Sequence, residues 1–275
     1  MITSRKSHIA AALFSVFLAG SAWADTNTTD APGIDFEPTV GQSGKDVIWV
    51  PTPQQLVDRM LDMVGLTAQD KLVDLGSGDG RTVISAAKRG ATARGIEYNP
   101  DMVALSRSAA LREGVADRAT FEQADIFESE FSEATVVTLF LLPGLNLRLK
   151  PTLLDMKPGT RVVSNSFTMG DWEPDETGEA EGCTNYCIAY KWVIPAKVEG
   201  RWTMPHGQLQ LTQTYQFFEG TLSQGGTTLP ITEGRLDGAD ISFKAGDVTY
   251  TGKVAGQQMQ GKADGQAAWS ATLAN

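Results

Sequence analysis

The chain has 275 residues, a formal net charge of −10, 41% hydrophobic and 20% charged residues, two cysteines and two histidines. That length suits one or two domains with a sizeable core. The acidic balance, with no Lys/Arg cluster, argues against a nucleic-acid partner. Two cysteines with only His8 and His206 elsewhere cannot assemble a soft four-ligand zinc site, so no metal is expected.

Arg5 and Lys6 precede an apolar run from Ile9 to Gly20 that is too short to span a bilayer, and Ala22-Trp23-Ala24 places small residues where a signal peptidase needs them. Residues 1–24 therefore read as a signal peptide, which predicts export, most simply to a periplasm; an uncleaved anchor is the alternative. No other window approaches transmembrane length, so no stable membrane span is expected after the leader is removed. Residues 25–45, rich in Thr, Asp, Pro and Gly, read as a flexible tether.

Thr52 and Pro53 suit an N-cap and a first helical residue, and Leu56, Val57, Met60, Leu61 and Val64 repeat on one face, which predicts a helix from Pro53 to about Val64. Thr52 either only caps that helix or also turns its hydroxyl to a ligand. The next segment is the most informative. Leu72–Leu75 is an apolar strand, Gly76, Gly78 and Gly80 alternate through a tight turn, and Thr82–Lys88 returns to helical spacing. A second strand, Ala93–Ile96, ends on Glu97. An acid at that tip, beside a glycine-lined turn, is placed to hold a ribose diol. The G-x-G-x-G spacing differs from the G-x-G-x-x-G of dinucleotide sites. With Asp74 two residues ahead of it, the turn suits the ammonium and carboxylate of an amino acid.

Pro100–Glu113 reads as a helix, and Ala119–Ala124 as a strand ending at Asp125, which either meets a ligand or caps the following turn. Ala134–Leu142 is the continuous apolar run of a central parallel strand, Leu145–Met156 a helix, and Arg161–Phe167 a fifth strand carrying Ser164 and Asn165 to its end. From Asp171 to Gly182 six of twelve residues are acidic, more often a solvated loop than a lure for a basic substrate. Cys183 and Cys187 are a possible disulfide pair, whose short spacing would chiefly pin a local turn. Beyond Ala196 the apolar period becomes two, with about six short strands between Gly-rich turns, predicting a small barrel or a twisted antiparallel sheet.

Asp74-Leu75-Gly76-Ser77-Gly78-Asp79-Gly80-Arg81 resembles motif I of class I S-adenosylmethionine (SAM) methyltransferases. Together with Val50-Pro51-Thr52-Pro53, Leu141-Leu142-Pro143-Gly144-Leu145-Asn146, Lys157 to Phe167 and Asp171-Trp172, it resembles the protein-lysine methyltransferases of ATP synthase c-subunit and adenine nucleotide translocase, and their prokaryotic relatives. The resemblance covers about Trp49 to Trp192. The leader, the acidic loop, the cysteine pair and the added C-terminus depart from it. It implies an α/β fold, a Rossmann-like class I methyltransferase sheet with helices on both faces over residues 46–195; the small antiparallel all-β domain over 196–275 that follows is read from the period-two pattern. The resemblance implies SAM as cofactor, held by Thr52, Asp74, Gly76, Ser77, Gly78, Gly80, Glu97, Tyr98, Asp125 and Ile126, with Ser164 and Asn165 lining the acceptor entrance. The acceptor implied is an amine, foremost a protein lysine. A small-molecule methyltransferase and a non-catalytic exported binding module that keeps the fold are the alternatives. After the fourth strand this chain has Pro143-Gly144-Leu145-Asn146 rather than Asn/Asp-Pro-Pro-aromatic, which counts against an amino-methyltransferase acting on nucleobases or glutamine.

Overall fold

The computed structural model describes residues 36–274; the predicted leader and the first part of the tether lie outside the described residues. Helix α1 (Gln54–Met63) buries Leu56, Val57, Met60 and Leu61, the face read from the spacing. Its cap is Pro53, with φ −53° and ψ 138°, not Thr52. The Pro53 carbonyl already accepts from the N–H groups of Leu56 and Val57 at 2.9 and 3.0 Å, so the helix starts one residue later than predicted. Thr52 is thereby released from capping.

Strands and helices then alternate: β1 (Lys71–Leu75), α2 (Arg81–Lys88), β2 (Thr92–Glu97), α3 (Pro100–Arg112), β3 (Ala119–Gln123), β4 (Val136–Leu139), α4 (Pro143–Leu154) and β5 (Arg161–Asn165). The five strands are parallel and lie in the order β3-β2-β1-β4-β5. An antiparallel hairpin, β6 (Glu176–Glu179) and β7 (Ile188–Val193), continues the sheet beyond β5. The order reverses at β1, where Asp74 has Gly95 of β2 on one side and Thr138 of β4 on the other. That reversal opens a crevice at the strands' carboxyl ends. Both faces of the sheet are covered, so β4 is buried along its whole length, as its unbroken apolar run requires. The predicted fifth strand stops at Asn165 because Ser166 turns to φ +60°.

The C-terminal region is a closed antiparallel barrel of eight strands: β8 (Gly200–Met204), β9 (Gly207–Thr214), β10 (Phe217–Gln224), β11 (Thr227–Asp237), β12 (Asp240–Ala245), β13 (Val248–Ala255), β14 (Gln258–Ala263) and β15 (Ala267–Leu273). Closure removes the open edges that a twisted sheet would expose. Trp202, Phe218, Phe243, Tyr250 and Trp269 belong to its packed core, with Phe243 stacked on Tyr250 at 4.8 Å.

Sheet and barrel meet through a buried polar knot. The indole N–H of Trp172 donates to Gln216 Oε1 at 2.9 Å, and Gln216 Nε2 donates to the carbonyl of Glu173 at 2.8 Å. Tyr215 stacks on Trp172 at 5.8 Å. Replacing Gln216 by Leu leaves a buried N–H and a carbonyl unpaired, so a stability loss of about 1–3 kcal/mol is expected. A chemical-denaturation midpoint unchanged by Gln216→Leu would contradict this account.

Three of the six acids in the acidic stretch are paired. Asp171 binds Lys150 at 2.5 Å, Asp175 binds Arg235 at 2.8 Å, and Glu176 binds Lys191 at 2.5 Å. It braces the hairpin and the barrel. Among the described residues, no helix is long and apolar enough to cross a membrane.

Candidate active site

A deep cleft runs along the carboxyl ends of β1 to β5. Its floor is the turn after β1. Gly76, Gly78 and Gly80 have φ of +79°, +52° and +80°, a region that L side chains rarely adopt, which explains glycine at every second position. At Gly78 an added Cβ would also lie 2.6 Å from the Trp49 indole nitrogen. The turn is fastened to β2, with the N–H groups of Gly76 and Ser77 donating to the Ile96 carbonyl at 2.9 and 3.1 Å.

Glu97 stands directly beside this turn. Its Oε2 accepts from the Gly78 N–H at 3.0 Å and its Oε1 from the Asn99 N–H at 2.9 Å. Asn99 in turn caps α3, its Oδ1 accepting from the N–H of Asp101 at 2.9 Å. One carboxylate therefore ties the turn to the next helix and still lines the cleft.

Asp74 is buried, and Thr138 donates to its Oδ1 at 2.6 Å. Burial pushes its carboxyl up to about 7; the Thr138 hydroxyl opposes the rise, and the charges of Glu97 and Asp79 add to it. A carboxyl so placed gains most from a cationic neighbour.

Thr52, Asp74, Gly76, Ser77, Gly78, Glu97, Tyr98, Asp125 and Ile126 all line this one cleft. Gly80 sits just behind the lining, under Phe121 and Ser106. Ser77 contributes backbone, because its hydroxyl packs against Gly95. The entrance position expected for Ser164 and Asn165 is corrected. Both are buried and committed elsewhere, Ser164 Oγ accepting from Asn146 Nδ2 at 3.3 Å and Asn165 Nδ2 donating to Thr52 Oγ1 at 3.2 Å. Asp125 lines the cleft, and its Oδ1 also accepts from the Phe127 N–H at 3.0 Å, the turn cap that was the alternative to a ligand contact.

Two groups of lining residues escaped the sequence reading. One is the end of the supposed tether. Gly41 N–H donates to the Trp49 carbonyl and Trp49 N–H to the Gln42 carbonyl, both at 2.9 Å, so Gln42–Trp49 forms a strap over the cleft. Lys45 on the strap pairs with Asp125, holding that carboxyl below the usual range, and lies 4.9 Å from the Tyr98 ring centroid. Composition hid this, because the first part of the strap, Gln42–Asp46, has no large apolar residue. The other group is apolar. Phe140, Leu142 and Phe167 line the cleft past the ends of β4 and β5.

Comparison with known proteins accords with this geometry. Residues 74–176 match the model of the ANTKMT methyltransferase domain. A protein-lysine N-methyltransferase of Saccharolobus islandicus is 42% identical over 152 residues, which is 54% of this chain and 94% of that protein. The chain belongs to the ANTKMT methyltransferase family. As an ANTKMT-family chain it is also 39% identical over 133 residues to the human lysine N-methyltransferase of the ATP synthase c-subunit, of which it spans 57%. An RNA methyltransferase from Salinibacter ruber, solved in complex with S-adenosyl-L-homocysteine, is 50% identical, with a TM-score of 0.51 over 54% of this chain and 96% of that one. This ANTKMT-family protein is a class I SAM-dependent methyltransferase, and SAM is its cofactor. The cleft fits that cofactor: bare left-handed glycine backbone, a carboxylate at the second strand tip and a buried carboxyl suited to a cation meet in one place.

Proposed function

We propose that this enzyme transfers the SAM methyl group to the side-chain amine of a protein lysine, acting outside the cytosol after export. The observation that carries the reading is the apolar extension of the cleft at Phe140, Leu142 and Phe167, next to the methyl-donor site. SAM supplies an electrophilic methyl group to the site. In the proposed arrangement Glu97 holds the ribose diol, Asp74 and the Gly76–Gly78 backbone hold the methionyl part, and Asp125, Ile126 and Tyr98 border the adenine. The part of the lining supplied by Phe140, Leu142 and Phe167 is apolar. It suits the four-carbon stem of lysine, and by desolvating the amine it lowers its pKa toward the neutral form that attacks. In-line displacement needs little else from the protein: most of the rate comes from holding nitrogen about 3–3.5 Å from the methyl carbon.

The named activities of the archaeal and human relatives support a lysine acceptor. The RNA description of the Salinibacter relative points elsewhere, but a net charge of −10 opposes binding to a phosphate backbone. The leader read over residues 1–24 and the Cys183–Cys187 disulfide support export to an oxidising compartment. Incubating mature protein with methyl-labelled SAM, cell-envelope extract and total RNA decides the acceptor. Protease-sensitive label recovered as methyllysine is expected. Label confined to RNA or to small molecules would overturn the reading.

A further inference from the structure

Tyr186 lines the cleft beside Phe140, and the reason it is there lies in the disulfide. The hairpin loop between β6 and β7 is fastened at its base by the Ala180 N–H donating to the Cys187 carbonyl at 2.9 Å, and is cross-linked from Cys183 to Cys187, with Cα atoms 5.6 Å apart. Cys183 packs against the buried core that includes Met63, Ala180 and Ala189. The cross-link therefore transmits a fixed position from the core to the three residues between the cysteines. The last of them, Tyr186, has φ +55°, where a bulky residue is rare, and is half exposed, with relative exposure of 45%. Its ring is not free. It lies edge-on to Phe140 at 5.2 Å, and Phe140 in turn stacks on Phe167 at 6.2 Å. All three rings line the same cleft as the glycine turn and Glu97.

We infer that Phe140, Phe167 and Tyr186 form an aromatic channel for the alkyl-amine stem of the acceptor, and that the Cys183–Cys187 cross-link is a positioning device that holds Tyr186 as its outer wall. This deepens the lysine reading above and rests on it. An unbranched alkyl chain fills a slot between rings without polar partners. Nothing in the cofactor half depends on Tyr186, so its loss separates acceptor binding from cofactor binding. The family match ends at residue 176, ahead of this loop, so the wall is supplied by a part of the chain beyond that match.

The test uses the full mature chain and two probes: S-adenosyl-L-homocysteine, and a bisubstrate analogue in which an aminobutyl chain replaces the transferred methyl on a nitrogen isostere of SAM. Calorimetry gives the gain in affinity of the second over the first. The wild type is expected to show a gain of about tenfold or more, and Tyr186→Ala to lose about five- to tenfold of it with S-adenosyl-L-homocysteine affinity unchanged, the scale of one aromatic contact. Tyr186→Phe should keep the gain. The double variant Cys183→Ser/Cys187→Ser should lose about as much as Tyr186→Ala, and adding Tyr186→Ala to it should cost nothing more, because the cysteines act through the ring. A gain retained in Tyr186→Ala, or an S-adenosyl-L-homocysteine affinity that falls in parallel, overturns the channel while leaving the lysine reading intact. A wild type that gains nothing from the aminobutyl chain overturns both.

Discussion

Glu97→Ala is expected to weaken SAM binding by about ten- to a hundredfold, the loss of charge-assisted bonds worth roughly 1.5–3 kcal/mol. The upper end is favoured by what else Glu97 does. Its two oxygens accept from the N–H groups of Gly78 and Asn99, so the same carboxylate that would bind the ribose also fixes the turn on which the methionyl part rests. Truncation leaves a glycine turn that must be ordered by the ligand itself, and that ordering costs further affinity. Gln is not a clean substitute, since its single carbonyl can accept from only one of the two N–H groups and its amide nitrogen would face the other donor. The measurement is calorimetric titration of SAM into wild type and Glu97→Ala, with denaturation of both as a control for folding. Affinities within about twofold of each other would remove Glu97 from the site, because a lost charge-assisted bond is worth more than that.

The reasons this carboxylate was visible in advance, and others were not, are physical. A turn built from alternate left-handed glycines, an acid two residues upstream and an acid closing the next strand all lie within one βαβ unit, so local spacing determines their meeting in space. The apolar run Ala134–Leu142 likewise announced a strand buried on both faces. Its last residues were misread, because Phe140 looks like core in a one-dimensional pattern and becomes cleft wall only once β4 ends at Leu139. Ser164 and Asn165 failed for the converse reason. Polar residues at a strand tip suggest a site, but here Asn146 from α4 and Thr52 from ahead of α1 reach them first. The strap at Gln42–Trp49 and the ring of Tyr186 depend on long-range closure and on a disulfide, neither of which has a periodic signature. The barrel's strand alternation was legible. Its closure was not, because closure rests on pairing between β8 and β15, the first and last strands of the barrel.

The pH response of the cofactor site follows from Asp74. Burial raises its carboxyl from 3.8 to about 7, so at pH 6 most molecules carry it protonated, and a neutral carboxyl cannot pair with the ammonium of SAM. If SAM binds the ionised form, the apparent affinity tightens as pH rises and levels off above neutrality, by about tenfold between pH 6 and pH 8. Stability of the free protein moves the opposite way. A carboxyl whose folded pKa lies above its unfolded value binds more protons in the native state, so its contribution is full below the ordinary carboxylate range and is lost as pH climbs through about 7. SAM reverses that loss by supplying the missing counter-charge, and the thermal shift it causes should therefore grow across the same interval. Asp74→Asn separates the two effects. Asn cannot ionise, so the variant's affinity should be weak and nearly flat with pH, and the stability trend from this group should vanish with it. A pH profile surviving in Asp74→Asn would show that Asp74 is not the titrating group. A wild-type affinity that does not change between pH 6 and pH 8 would mean that the ammonium is bound by the turn's carbonyl groups alone, with Asp74 serving only to anchor Thr138 beneath it.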